Sequence, residues 1–279
     1  MGEELHDHDK GLSFDLPTLQ RRKMIRLLAG VGLVPLVGCS SDDSDSSASA
    51  SSSADPSASS SSSAASSGSA ECETIPGETA GPYPGDGSNG VNVLKESGVV
   101  RKDITSSFGT ASGKAEGVPL TVTLTVVDAA SGCDTPKEGA AVYLWHCDRD
   151  GNYSLYSEGV TEENYLRGVQ ETDAKGQVTF TSIFPACYTG RWPHIHFEVY
   201  GSLEDATNAT SITATSQLAF AKDVCDTVYA TDGYDRSVQN MSQLSLETDN
   251  IFSDGYDQQL ATTKGSVAKG YTATLTVPV

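Results

Sequence analysis

Three histidines lie beyond residue 39 of this 279-residue chain, and two of them form the short motif His194-Ile195-His196. The run from His194 to Tyr200 has the character of a β-strand, in which side chains two residues apart share a face, about 6.5 to 7 Å apart along it. Two imidazoles on one face can converge on a metal ion. The same motif also suits a polar strand face with two exposed histidines, so its neighbours decide between the two interpretations.

Those neighbours form a series of spaced motifs. Arg191 and the two histidines lie in G-R-x-P-H-I-H-F, W-H-C-D-x-x-G-x-Y-S covers 145–154, and L-R-G-V-Q-x-T-D-x-x-G covers 166–176. Further upstream, residues 78–84 read E-T-A-G-P-Y-P. Taken in chain order, from about Glu78 to about Gln217, these segments resemble the intradiol ring-cleavage dioxygenases. They resemble in particular secreted, lipoprotein-like members of that superfamily.

The resemblance implies a non-haem iron(III) centre with a water or hydroxide as its fifth ligand. The protein ligands that it implies, matched position by position, are Tyr153, Tyr188, His194 and His196. Arg191 matches an active-site arginine of the family, and Gln217 matches a glutamine behind the ligands at a looser spacing. Tyr188, Arg191 and Gln217 are therefore the predicted catalytic residues.

These residue types suit the implied chemistry. Phenolate is a hard, anionic donor, and two phenolates favour iron(III), because ligand type selects a metal more than raw affinity does. The resemblance implies that a catechol-type diol is opened with both atoms of O₂ to a muconate-type diacid. In the family, the tyrosine matching Tyr188 leaves the metal and accepts a proton, whereas the one matching Tyr153 stays bound. Arg191 stays charged at any working pH and could stabilise negative charge on the ring.

Several of these residues also suit ordinary structural roles. Taken singly, Tyr153 and Tyr188 are typical of half-buried tyrosines with a polar tip. His146 follows a tryptophan in a strand and is expected to be a structural histidine, and Arg167 is expected in an internal ion pair. Core or pocket-wall positions are expected for Trp145 and Trp192, and structural or disulfide roles, rather than metal ligation, for Cys147 and Cys187.

The elements that must position these residues are short strands. Period-two or apolar runs at 120–127, 140–147, 177–183, 194–200, 217–220 and 271–279 alternate with turn signals, whereas 72–117 is rich in Gly, Pro, Ser and Asp. No stretch has a helical period of ten residues or more. The sequence therefore predicts an all-β protein, an antiparallel β-sandwich of the intradiol dioxygenase core type with long irregular loops.

The first 71 residues have a different composition. Arg21-Arg22-Lys23 precedes a short apolar run that ends at Gly38-Cys39, which predicts a secretory signal peptide over 1–39 that resembles a lipobox. The adjacent arginines suggest twin-arginine export, and general secretion is the alternative. Residues 40–70 contain 18 serines in 31 positions, which indicates a disordered tether over 40–71. The catalytic domain is then 72–279, lipid-anchored through Cys39 outside the bacterial cytoplasm.

Charge and cysteine content limit the partners. The formal net charge is −19, which argues against a nucleic-acid or anionic-membrane surface. Five cysteines follow Cys39, so at most two intrachain disulfides form and one thiol is left over, with the pairing open. A serine tether stands where catechol-cleaving members carry a helical dimerisation domain, so that dimer is not expected, and the oligomeric state is open.

Two other classes of function compete with the dioxygenase. One is a β-sandwich module that kept the fold and only binds a polymer or an aromatic compound; the intact set of two tyrosines and two histidines argues against it. The other is a zinc or copper enzyme that uses His194 and His196. That enzyme would need a third ligand other than tyrosine, such as His146 or a carboxylate, and metal analysis would distinguish it from iron.

Overall fold

The structure, a computed structural model, describes residues 72–208 and 211–279. The predicted signal peptide (1–39) and tether (40–71) lie outside the described residues. Within the described ranges, no helix is both long enough and apolar enough to cross a membrane.

The described residues contain eight strands in two four-stranded sheets, ordered β4-β1-β8-β7 and β3-β2-β5-β6. The strands are β1 (Pro119–Val127), β2 (Ala141–Trp145), β3 (Arg167–Glu171), β4 (Gln177–Ile183), β5 (His194–Tyr200), β6 (Ile212–Ala219), β7 (Thr262–Ser266) and β8 (Gly270–Pro278). All neighbouring pairs are antiparallel except β1 and β8. Most of the regular secondary structure of the described residues is strand, as the sequence predicted.

The parallel pair corrects the expectation of a wholly antiparallel arrangement. β8 lies beside β1 with Leu120 opposite Tyr271 and Val126 opposite Val277. A parallel pair needs a long crossover. Here the chain between β1 and β8 builds the whole second sheet, so β8 returns along β1 in the same direction.

Helices are short in the described part of the chain. They are α1 (Leu203–Asn208), α2 (Lys222–Tyr229) and α3 (Asp235–Met241), with 3₁₀ turns at Ala129–Ser131 and Phe252–Asp254. The longest α-helix has eight residues, in agreement with the lack of a ten-residue helical period. Segments this short depend on tertiary packing rather than on intrinsic propensity, so the sequence did not reveal them.

The first sheet buries one face. Along β1, Leu120, Val122, Leu124 and Val126 point inward, whereas the threonines between them are partly exposed. β8 alternates in the same way. This period of two made both strands readable from the sequence. β7 (T-T-K-G-S) has no apolar face and was missed, as was β3.

The two central strands of the second sheet are buried on both faces. Every residue of β2 and β5 is buried. The odd residues of β5, such as Ile195 and Phe197, join the main core together with inward residues of β1 and β8. The even residues, beginning with His194 and His196, face the opposite side. The irregular segment around 83–99 and side chains of β2 pack in a second cluster that covers this sheet. The candidate site lies on that covered face.

One disulfide, Cys72–Cys133, occurs in the described residues. The remaining cysteines there are free and buried: Cys147, Cys187 and Cys225. The expectation of one leftover thiol was therefore wrong. Cys147 and Cys187 have the structural role, since their thiols lie 3.7 and 3.5 Å from the carbonyl oxygens of Ala186 and Arg191.

Candidate metal centre

His194 and His196 meet at their Nε2 atoms, which are 3.1 Å apart. Both side chains are almost fully buried. Donor atoms about 3 Å apart are close enough to share one ion, because metal–nitrogen bonds are about 2 Å long. The strand period thus brings the two imidazoles together on one face of β5, as the H-x-H spacing predicted.

Hydrogen bonds and burial set the protonation of these rings. His194 Nδ1 lies 2.6 Å from the carbonyl oxygen of Trp192. A carbonyl only accepts, so Nδ1 carries the proton and Nε2 keeps its lone pair. Burial, and then the charge of Arg191, lower the pKa of both histidines well below the usual value. Both rings are therefore neutral, the form that a metal ion requires.

Trp145 fixes the plane of the His196 ring. The two residues pair across β2 and β5, and their rings stack at 4.9 Å with an interplanar angle of 10°. Gly81 also lies close to this ring: it has φ +70°, and a Cβ added there would lie 3.3 Å from His196 Cε1. A side chain at Gly81 would be strained and would press on the ring, which accounts for a glycine in the 78–84 motif.

Tyr188 brings a phenol to the same point. Its Oη is 3.2 Å from His194 Nε2, and its ring meets His194 edge-on at 5.5 Å. The loop between β4 and β5 carries it, and α3 holds that loop. Cys187 N donates to Ser237 Oγ at 3.0 Å, and Asn240 Nδ2 donates to Cys187 O at 2.8 Å.

Tyr153 brings the second phenol from the turn after β2. Asp148 organises this turn by accepting bonds from the backbone N–H groups of Asp150 and Asn152 at 3.0 and 2.9 Å. Gly151 supplies the left-handed conformation, with φ +91°. The ring of Tyr153 then lies edge-on to Tyr188 at 5.9 Å.

The Tyr153 hydroxyl is a buried oxygen that makes no hydrogen bond of normal geometry. Burial, and then the neighbouring Tyr188, raise the pKa of Tyr153 well above its usual value. Its interaction with the Tyr188 side chain leaves the hydrogen bonding of this buried hydroxyl incomplete, and a bound cation would complete it. A cation bound beside the histidine Nε2 atoms would give this oxygen a partner and displace its proton.

Arg191 and Gln217 lie next to each other beside the histidines. Arg191 Nη2 donates to Gln217 Oε1 at 2.7 Å, and Gln217 Nε2 donates to Thr79 O at 3.0 Å. Gln217 is directly opposite His196 in the β5–β6 register. The structure thus brings both residues to the predicted ligands, although only the motif containing Arg191 had tight spacing in the sequence.

Asp249 is a site residue that the sequence did not reveal. Its carboxylate accepts a bond from Arg191 Nε at 3.1 Å, and both side chains are buried, with exposures of 0% and 2%. Asp249 lies in a polar run, Glu247-Thr248-Asp249-Asn250, without a recognisable spacing to the histidines. No pattern in the sequence signals a partner 58 residues away.

Two predicted structural residues lie outside the centre. His146 has both ring nitrogens hydrogen-bonded, to Cys147 O and Ser182 Oγ at 2.7 Å each, which confirms its structural role. Arg167 is fully buried. In place of the expected ion pair, the Arg167 guanidinium donates hydrogen bonds to carbonyl oxygens and hydroxyl groups. The carbonyl oxygens belong to Tyr83, Pro84 and Ser154, and the hydroxyl groups to Tyr143 and Ser154.

The donor set fits a hard cation. Across the described residues there is no group of three or more His, Cys, Asp and Glu side chains placed for a metal ion. The candidate centre instead combines two imidazoles with two phenols. Nitrogen and anionic oxygen donors suit iron, and two phenolates would favour its trivalent state.

Comparison with known proteins gives a family match and two similar solved structures. A family model described as dioxygenase matches residues 97–259, which is more than half of the chain. An intradiol ring-cleavage dioxygenase from Tetranychus urticae aligns over 66% of this chain and 87% of its own, with 25% identity and a TM-score of 0.52. The dioxygenase domain of a carbohydrate-binding fusion protein from Streptomyces sp. SirexAA-E aligns over 74% of this chain and 98% of its own, with 22% identity and a TM-score of 0.47.

A curated sequence also matches over a short stretch. Chlorocatechol 1,2-dioxygenase from Rhodococcus opacus is 39% identical over 54 residues, which are 19% of this chain and 21% of that relative. The match thus spans about a fifth of the length of that enzyme.

Proposed function

The chain belongs to the intradiol ring-cleavage dioxygenase family, and we propose that it is a non-haem iron(III) enzyme that opens catechol-type rings with O₂. The products would be muconate-type diacids that contain both oxygen atoms. The substrate is a small aromatic diol.

The observation that carries this proposal is the close approach of three predicted donors, with the ring of the fourth, Tyr153, edge-on to Tyr188 at 5.9 Å and to His196 at 6.3 Å. The Nε2 atoms of His194 and His196 are 3.1 Å apart, Tyr188 Oη is 3.2 Å from the first of them, and the buried Tyr153 hydroxyl makes no normal hydrogen bond. We assign these four side chains as the iron ligands. A bound iron(III) ion would act as a Lewis acid that holds both oxygens of the diol and makes the ring reactive towards O₂.

The chain's own residues supply the remaining chemistry. Tyr188 is only half-buried, whereas Tyr153 is fully buried, so Tyr188 is the phenol with room to move and to accept a substrate proton. Arg191 keeps its charge at working pH and is held by Gln217 and Asp249. Its guanidinium would stabilise negative charge that develops on the ring. Burial around these groups excludes water and strengthens the electrostatic effect.

A visible absorption spectrum of the purified, iron-loaded full-length chain tests this function. We expect a red-brown phenolate-to-iron(III) band that shifts on anaerobic addition of catechol, followed by formation of a muconate-type product when O₂ is admitted. A chain that stays colourless after iron loading would contradict the assigned centre. A coloured chain whose absorption band does not shift on addition of catechol would favour a binding module that kept the fold.

We also propose a domain organisation. The two sheets would form the β-sandwich of the intradiol core over 72–279, behind a signal peptide over 1–39 and a tether over 40–71. Lipid attachment at Cys39 would hold the enzyme outside the cytoplasm. Cys39→Ser should then move the protein from the membrane fraction to the soluble fraction, with the neighbouring Ser40→Ala as the control. Continued sedimentation of Cys39→Ser with membranes would contradict the anchor.

A further inference from the structure

Asp249 has a fully buried carboxylate with four hydrogen-bond donors around it. Oδ2 accepts from Arg191 Nε at 3.1 Å and from Trp192 N at 2.7 Å. Oδ1 accepts from Ile251 N at 2.8 Å and from Phe252 N at 3.2 Å. A buried carboxylate is stable only when it is paired and hydrogen-bonded in this way.

The two oxygens of this carboxylate have separate tasks. The bonds to Ile251 and Phe252 lie within the segment of Asp249, where Asp249 N also donates to Ser245 O and Ser253 N donates to Asp249 O. These local bonds hold the carboxylate in place. The other oxygen reaches across to the loop that leads into β5 and bonds Arg191 and Trp192.

Through this oxygen, Asp249 contacts two parts of the candidate centre. It holds the Arg191 side chain at Nε, while Gln217 holds Nη2 at 2.7 Å. It also binds Trp192 N, and the carbonyl of Trp192 is the acceptor for His194 Nδ1 at 2.6 Å. Two fixed points on a planar guanidinium determine its orientation.

We propose that Asp249 is a positioning residue that aims the Arg191 guanidinium at the bound substrate. The expected effect on kcat rests on the proposed ring cleavage and is the kinetic part of the proposal. The orientation of the Arg191 side chain does not rest on it and is the geometric part. Without Asp249, the long arginine side chain would gain alternative rotamers. The charge that stabilises the reacting ring would then spend less time in place.

A purely structural role for Asp249 would also explain the bonds to Ile251 and Phe252. The two interpretations differ in one respect. A structural carboxylate affects folding stability and lowers activity by the same factor whatever residue occupies position 191. A positioning carboxylate acts through Arg191, so its effect on kcat disappears when Arg191 is absent.

The geometric part is tested on the metal-free full-length chain by nitrogen-15 NMR of the arginine Nε–H groups. Arg191→Lys identifies the Arg191 signal by its loss. In Asp249→Asn we expect that signal to shift and its hydrogen exchange to accelerate at least about tenfold, because a neutral amide has one accepting oxygen in place of two and its bond to the guanidinium loses the assistance of the negative charge. Asp226→Asn, which removes an exposed carboxylate paired with Lys222 in α2, is the matched control and should leave the signal unchanged. An unchanged Arg191 signal in Asp249→Asn would overturn the proposal.

The kinetic part is tested on the iron-loaded full-length chain by a double-mutant cycle. We expect Asp249→Asn to lower kcat about 10- to 100-fold with little change in KM, and to have less than about a twofold effect in the Arg191→Gln background. Equal losses in both backgrounds would overturn the proposal. Iron content and the phenolate band of each variant are recorded in parallel.

Arg191→Lys serves as a second variant if Asp249→Asn folds poorly. It breaks the Nε bond from the other side and leaves the turn around Asp249 intact. Full retention of kcat in this variant, with protected amides at Ile251 and Phe252, would overturn the proposal. If the parent chain cleaves no catechol at all, the proposed function fails, and the Nε–H spectra alone decide the role of Asp249.

Discussion

At the candidate centre, burial shifts the pKa values of the two imidazoles and of the Tyr153 phenol in opposite directions. It lowers the pKa of His194 and His196 and raises that of Tyr153. All three groups are therefore neutral at physiological pH without a cation. Binding of a trivalent ion would release phenol protons, so iron loading should be favoured by higher pH.

Removal of one phenol tests the ligand assignment at the scale of a single atom. We expect Tyr153→Phe to lose about half of the phenolate-to-iron(III) absorbance, because one of two phenolates is gone. The measurement is the visible spectrum per bound iron. Tyr256→Phe, which alters a tyrosine bonded to exposed Glu247, is the control and should keep the full band. An undiminished band in Tyr153→Phe would remove that residue from the ligand set.

Removal of one imidazole should affect iron retention itself. We expect His196→Ala to weaken iron binding by more than about tenfold, since one of four protein ligands is lost and changes even behind the ligands cost 10- to 100-fold. Iron per chain after dialysis against a chelator measures this. His146→Gln changes a buried histidine outside the centre and should retain iron. Full occupancy in His196→Ala would contradict the assignment.

At the scale of elements, β5 carries two of the predicted ligands, and the segment after β6 holds in place the loop that precedes β5. β5 presents both histidines by its alternation, whereas the loop before it brings Tyr188 and Arg191. That loop is held from outside, by Ser237 and Asn240 of α3 and by Asp249. The region between β6 and β7 therefore supports the catalytic loop, although its helices are short.

The disulfide between Cys72 and Cys133 anchors the start of the described chain near the end of β1. It closes a loop with a sequence separation of 61, for which the chain-entropy model gives a stabilisation of about 4 kcal/mol. We expect Cys133→Ser to lower the free energy of unfolding by about 2 to 4 kcal/mol, measured by urea denaturation. A reductant should destabilise the parent chain by a similar amount and leave Cys133→Ser unaffected. Equal sensitivity of both to reductant would contradict this role.

At the scale of the whole molecule, buried histidines link stability to pH. Burial lowers the pKa of His146 to about 4. Between that value and the ordinary pKa of about 6.5, the unfolded chain binds a proton that the folded chain does not, so stability falls as pH falls through this window. Over this pH window, His146 lowers the free energy of unfolding by roughly 3 kcal/mol. Burial raises the pKa of Glu198 to about 7, so the contribution of Glu198 to folding stability increases as pH falls. Because the two effects oppose each other, the effect of His146 must be isolated by comparing a variant with the parent chain.

We therefore expect His146→Gln to be less stable than the parent at pH 7.5 and to lose less further stability between pH 6.5 and pH 4. Urea unfolding across this range measures both slopes. The loss at pH 7.5 has a separate cause, the weakened bonds to Cys147 and Ser182. Parallel stability curves for the two chains would show that His146 does not titrate as its burial requires.

The sequence by itself determined the strands that alternate and the residues that lie in tight motifs. β1, β4, β5 and β8 follow from their patterns, and His194 and His196 share a face because side chains in a strand repeat every two residues. The motifs around Tyr153, Tyr188 and Arg191 have a local spacing that matches the family motifs from sequence alone. Such features depend on neighbours in the chain.

Tertiary structure alone decided what depends on distant residues. It determined the parallel pairing of β8 with β1, the single disulfide among five cysteines, and the short helices that packing stabilises. It also brought Asp249 to Arg191 across 58 residues. A buried ion pair leaves no periodic trace in the chain, because its partners meet only after the sheets have packed and excluded water.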